Sequence, residues 1–112
     1  MKSLRIYPVT LSMIRTVAPL MEAIERRDRD LASQGRSAAS SVALNTAEGS
    51  CSRGRNRQAR YHTACASANE TLSVLEVADA WGWGIDPEPH RDMFNEIIGT
   101  LAKLSGIPPQ RR

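Results

Sequence analysis

The sequence predicts an all-α protein: a single-domain, antiparallel up-down-up-down four-helix bundle. Three observations predict it. Apolar residues recur at helical rather than alternating spacing along four segments. β-Branched residues are scattered and the aromatics are few (Tyr7, Tyr61, Trp81, Trp83 and Phe94), where a sheet would be richer in both. Short connections join the four segments within 112 residues, which favours antiparallel neighbours. A chain of this length buries roughly two-thirds of the surface its unfolded form exposes, so it needs no staple of disulfides or metal.

The first segment runs from about Pro8 to Arg27. Met13, Val17, Leu20 and Ile24 follow helical spacing, and Leu11, Ile14 and Met21 widen the stripe. Pro8 suits a first helical turn. Pro19 removes the hydrogen bond to the Arg15 carbonyl, so it predicts a kink or two shorter helices meeting there. Residues 1–7, with Leu4-Arg5-Ile6-Tyr7, read as an extended arm. The charge run from Glu25 to Asp30 alternates in sign and reads as a solvated turn.

The second segment, about Leu31 to Gly49, has a seam of small residues: Leu31, Gly35, Ala38, Val42 and Ala47. Small side chains let helix axes approach closely. A helix so poor in large apolar groups needs bulkier helices beside it, which places it centrally in a bundle or at a subunit contact. The third segment, from about Asn56 to Trp81, carries Ala59, Thr63, Ala66, Val74, Val77 and Trp81 in one stripe, with Leu72, Leu75 and Ala78 beside it; Gly82 and Gly84 stop it. The fourth has Asp86 as N-cap, Pro87 at its first position, and Met93, Ile97, Leu101 and Leu104 on one face. Gly106 and Pro108-Pro109 end it, and residues 107–112 form a tail that closes on Arg111-Arg112.

Two cysteines, Cys51 and Cys65, are fewer than a small secreted scaffold carries. The first residues lead into no apolar run of signal-peptide length, and no stretch approaches the roughly 18 apolar residues of a membrane span. The expectation is a cytoplasmic protein without membrane contact, on which the sequon Asn69-Glu70-Thr71 is a chance match. Net charge is +3, unevenly distributed: residues 1–69 hold eleven Lys or Arg against five acids, and residues 70–112 hold four against seven. That asymmetry points to an anionic partner for the basic half, or to two helix faces that attract each other within the bundle.

No catalytic constellation stands out. A di-iron bundle needs Glu-x-x-His on two helices, and Ala59 and Pro87 occupy those places before His62 and His90. His62 and Cys65 lie three apart without an orienting acid, a weak nucleophile signal. Ser52-Arg53-Gly54-Arg55 has the wrong spacing for a phosphate-cradling glycine loop. No cofactor or metal is therefore expected. The strongest candidate is the basic stretch Arg53, Arg55, Arg57 and Arg60, with no acid between Glu48 and Glu70. Guanidinium groups suit bidentate phosphate contacts, and repetition around an oligomer would make a continuous belt. Without interleaved aromatics, base reading is not expected.

Residues 31–49 read LASQGRSAASSVALNTAEG. Gln34, Ser41, Asn45 and Glu48 share one helix face, and with Arg36 they form a polar set among Ala and Ser, with Ser67 and Glu70 on the next helix. Such a set can be a hydrogen-bonded network between helices or a subunit contact. The stretch resembles the pattern L-T-S-Q-x-R-R-A-A-x-S-V-x-x-N-I-A-E-G of the small four-helix-bundle proteins encoded in intervening sequences of bacterial 23S ribosomal RNA genes. Twelve of nineteen ungapped positions match: Leu31, Ser33, Gln34, Arg36, Ala38, Ala39, Ser41, Val42, Asn45, Ala47, Glu48 and Gly49. Ala64, Ala66, Ser67 and Glu70 resemble a second block, A-x-G-S-x-x-E. Ser37, Thr46 and Ala66 depart from the pattern, and the missing Arg at Ser37 weakens a charge-based parallel there. The resemblance covers about residues 31–82. It implies an antiparallel four-helix bundle, often a homopentamer with a central channel, and no established enzymatic activity. A related branch, the accessory subunits of diversity-generating retroelements, binds a reverse transcriptase and nucleic acid through a basic surface. These considerations lead to two expectations: a non-enzymatic oligomeric accessory protein that binds RNA or DNA backbone, or an oligomeric protein–protein scaffold.

Overall fold

The computed structural model describes the backbone of residues 2–106 and the side chains of residues 5–106. Among these residues are four α-helices and no strand: α1 (Lys2–Glu25), α2 (Arg29–Cys51), α3 (Gly54–Ala80) and α4 (Arg91–Ser105), with a 3-10 turn over Glu88–His90 leading into α4. The tail 107–112 lies outside the described residues. The long dimension of the molecule is 42 Å, which matches α3, whose 27 residues at 1.5 Å rise span about 40 Å.

The helix α1 takes in Arg5–Tyr7, where the sequence predicts an extended arm, and runs unbroken through Pro8 and Pro19. The apolar stripe explains both corrections. Ile6, Thr10, Met13, Val17, Met21 and Ile24 are all buried, so the stripe begins ahead of Pro8 and continues past Pro19. Both proline rings sit on the exposed side of the helix. An interior proline costs about 3 kcal/mol, and burying one large apolar side chain recovers about 1.5–3 kcal/mol, so the flanking stripe offsets it.

The turn from α1 to α2 is shorter than expected. Asp28 caps α2, its Oδ1 accepting the Leu31 N–H at 3.0 Å, and Arg29 and Asp30 already belong to the helix. The helix α2 packs between α1 and α3. Ala32, Gly35, Ala38, Ala39, Val42, Ala43, Thr46 and Gly49 are buried, and two glycines mark the closest approaches. A Cβ on Gly35 would lie 2.5 Å from Met21 Sδ and 3.1 Å from Val74 Cγ1; one on Gly49 would lie 2.7 Å from the Tyr61 ring. The large side chains come from the neighbours, as the small seam requires.

The buried face of α3 differs from the expected stripe. Of Ala59, Thr63, Ala66, Val74, Val77 and Trp81, only Val74 is buried; the core face is Tyr61, Ala64, Ala68, Leu72, Leu75 and Ala78. The helix packs on both α2 and α4. Its inner surface is therefore broad, and the face bearing Tyr61, Leu72 and Leu75 removes more apolar area from water than one built on Ala59 and Ala66. In α4, Phe94, Ile97 and Leu101 are fully buried, while Met93 and Leu104 are half-buried. Asp86 accepts the Glu88 N–H at 3.0 Å just ahead of the 3-10 turn, whose N-cap is Pro87, while His90 stands at the cap of α4. Gly106 ends α4 in the left-handed conformation, with φ of 76°. The helix α4 packs on α3 and more lightly on α1, closing the bundle. No described helix is long and apolar enough to cross a membrane.

Candidate nucleic-acid interface

The four arginines of the basic stretch sit at the corner between α2 and α3. Ser52 and Arg53 are the whole connection, both extended, and Gly54 opens α3 with φ of +55°. Ser52 ties the corner to α2: its N–H donates to the Gly49 carbonyl at 3.2 Å and its hydroxyl to the Glu48 carbonyl at 2.8 Å. The first turn of α3 has no acidic residue, and Arg53, at its cap, makes no side-chain capping bond. Unsatisfied N–H groups and the positive end of the helix dipole therefore face the same solvent as the arginines. That combination favours an anion such as phosphate.

The structure divides the four arginines. Arg53 and Arg55 are exposed, and neither forms an ion pair among the described residues. Arg57 folds back, its Nε donating to the Ser52 carbonyl at 2.8 Å, which holds the corner while leaving its charge intact. Arg60 forms an ion pair with Glu48 of α2 at 3.1 Å. The spacing of the arginines does not reveal this pairing. The signal lay in Glu48, which stands as far before Gly54 as Arg60 stands after it.

The polar set of the second segment spreads over the α2 surface. Ser41 and Ser67 join α2 to α3 through hydroxyls 2.8 Å apart, and Asn45 Nδ2 donates to both the carbonyl and the hydroxyl of Ser41 at 3.0 Å. Arg36 reaches the other way, to Glu25 of α1, and its guanidinium holds the Glu25 carboxyl below the usual range. Gln34 and Glu70 line a shallow depression between α2 and α3, together with Ser37, Ser41 and Ser67. The set thus comprises a hydrogen-bonded α2–α3 pair, two outward ion pairs to different helices, and an exposed depression.

His62 is exposed, and the Cys65 thiol points to α4, donating to the Ile98 carbonyl at 3.6 Å. Burial pushes the Cys65 thiol up, away from the thiolate that a nucleophile needs. Among the described residues no group of three or more His, Cys, Asp and Glu is placed to hold a metal ion. Comparison with family models, with curated proteins and with solved structures gives no match.

Proposed function

We propose that this chain is a non-enzymatic, oligomeric accessory protein that holds RNA or DNA backbone on one basic end of an antiparallel bundle. The observation that carries the reading is the gathering of Arg53, Arg55 and Arg57 on an acid-free helix N-terminus. The antiparallel order draws support from pairs in which position rises on one helix as it falls on the next. Ser41 and Glu48 meet Ser67 and Arg60 on α3, and Cys65 and Glu76 meet Ile98 and Arg91 on α4; for α1 and α2 the support is the three-residue turn 26–28 that joins them. In that order Arg5 of α1 and Lys103 of α4, both exposed, come to the arginine end and enlarge the basic surface. The resemblance to the proteins of 23S ribosomal RNA intervening sequences adds a homopentamer as the favoured assembly and a reverse transcriptase as one class of protein partner. A cytoplasmic setting goes with that role.

The test is binding of nuclease-treated protein to labelled RNA and DNA, followed by fluorescence anisotropy at about 50 and 200 mM salt, a range over which several phosphate contacts cost tenfold or more in affinity. Reversing Arg53 and Arg55 to Glu abolishes binding and leaves helicity unchanged. Unaltered affinity in that variant would remove the proposal. The exposed apolar side chains Leu44, Val77 and Trp81 favour a second reading, an oligomeric protein–protein scaffold with no nucleic-acid role. A protein partner captured equally well after nuclease treatment supports the scaffold.

A further inference from the structure

The connection from α3 to α4 lies away from the arginine corner and carries both tryptophans of the chain. Its backbone is fixed. The N–H groups of Trp81, Gly82 and Trp83 donate to the carbonyls of Val77, Asp79 and Ala78 at 3.0, 2.9 and 3.4 Å. Gly82 and Gly84 take φ of +81° and +78°, which side-chain-bearing residues rarely adopt, and this reverses the chain on either side of Trp83. Ile85 and Pro87 are buried just beyond and pin the segment to the bundle. Trp83 packs against the core, and Trp81 stacks on it with ring centroids 6.0 Å apart and planes 10° from parallel. Trp81 is 67 % exposed, so an indole face is held open to solvent by a rigid turn.

The segment that carries this indole is charged opposite to the chain as a whole. Residues 76–92 hold five acids, Glu76, Asp79, Asp86, Glu88 and Asp92, against Arg91 alone, a net charge of −4 in a chain of net +3. Arg91 bonds to Glu88 at 2.7 Å and Glu76 at 3.1 Å. Asp79 and Asp86, which flank the tryptophans in sequence, form no ion pair among the described residues; Asp86 accepts only a backbone N–H. An exposed indole face flanked in sequence by carboxylates without ion pairs suits a planar cation. A guanidinium stacks on the ring and donates to carboxylates in the same plane, which an ammonium cannot do.

We propose that the Trp81–Trp83 turn, with Asp79 and Asp86, is a docking site for an arginine-bearing segment of a partner protein. The proposal stands apart from the basic end, which would take an anion. Because the chain holds no other tryptophan, its indole emission reports on this site alone. The experiment titrates the full-length protein with a blocked hexa-arginine peptide at low salt. The expected result is a saturable change in indole emission, with hexalysine weaker. W81A weakens binding by at least about threefold, the scale of one exposed cation–π contact. D79N/D86N weakens it as well, while the amide introduced by D86N keeps a capping oxygen for the Glu88 N–H. Circular dichroism checks that both variants remain helical. No saturable change with the wild-type protein, or equal affinity in both variants, overturns the proposal. So does an emission shift that grows with protein concentration without peptide, which would assign the site to a second copy of the chain.

Discussion

If the arginine cluster binds phosphate backbone as proposed, Glu48 decides how much of it faces that ligand. Its carboxylate pairs with Arg60 across the α2–α3 corner, and the two side chains are about half exposed, at 56 % and 51 %. Pairs this exposed contribute about 0–1 kcal/mol to stability, so the pair is weak as a fastener. Its effect on the surface potential is larger, because it cancels one positive charge in a cluster of four. Replacing Glu48 with Gln keeps a hydrogen-bond acceptor near Arg60 and removes the cancelling charge. E48Q is expected to tighten backbone binding several-fold and to steepen the dependence of log affinity on log salt by about 0.9, the increment for one added phosphate contact. Anisotropy titrations at four or five salt concentrations measure that slope. An unchanged slope would mean that bound backbone does not reach Arg60, and the interface would shrink to the Arg53–Arg55–Arg57 side. Arg57 is the least suitable of the four for substitution, because its Nε bond to the Ser52 carbonyl also holds the corner.

Among the elements, α2 is where small side chains matter most, and its glycines allow a graded test. Alanine in a helix interior is favoured over glycine by about 0.5–1 kcal/mol, so the sign of each Gly→Ala change depends on what the new methyl group meets. At Gly99 of α4 nothing lies within 4 Å, and G99A should stabilise by about that amount. At Gly35 the methyl group meets the flexible end of Met21, which can move, and Val74, which has little freedom; G35A should be near neutral or slightly destabilising. At Gly49 three atoms of the buried Tyr61 ring lie within 3.0 Å of the new carbon, and overpacking of about 1–3 kcal/mol outweighs the helix gain. Urea denaturation should rank the proteins G99A, wild type, G35A, G49A from most to least stable; G49A at or above wild type would mean that α2 does not sit so close to Tyr61. The same helix shows what a sequence reveals. Its small seam reads directly as a close-packed element, because glycine and alanine leave no other use for so long a helix. The core face of α3 does not read so easily, because a helix with neighbours on two sides has apolar residues around much of its circumference. Tyr61 and Leu75 then outweigh a regular run of alanines that periodicity alone selects. The start of α1 was hidden for a related reason: Pro8 resembles a first turn, while Ile6 already belongs to the stripe.

For the whole molecule, an all-helical chain of four helices was legible in the sequence, and so was the stretch that gathers the arginines. The pairing of Arg60 and the open face of Trp81 were not, since each depends on how two elements meet. The proposed oligomeric assembly has its test on the outer surface of α2. Leu44 is 63 % exposed, although the same helix buries eight smaller residues. It shares a depression with Arg36, Ser37, Ser40, Ser41, Asn45, Glu48 and Arg60. Across Arg36 and Ser40 lies a groove between α1 and α2, lined by the apolar Ile14, Val17, Ala18, Met21 and Ala39 with Glu22 at its edge. A leucine projecting next to an apolar groove can insert into the groove of a second copy while its own groove receives a third. Contacts of that head-to-tail kind build rings where the rotation closes and open filaments where it does not, rather than pairs. Full burial of one leucine contributes about 1.5–3 kcal/mol, and a charge in its place would be left unpaired in the contact. L44E is therefore expected to convert an oligomer to monomers, read as mass by light scattering. Helicity and the unfolding midpoint of the monomer should stay as they are, because the side chain at position 44 projects into solvent rather than into the core. If nucleic-acid binding needs the basic corners of several copies together, the uncharged variant L44S, once shown to be monomeric, should lower affinity at least tenfold while Arg53 and Arg55 stay in place, whereas L44E also sets a carboxylate near Arg60. Retained affinity in monomeric L44S would show that one corner suffices, and an unchanged mass in L44E would move the subunit contact away from α2.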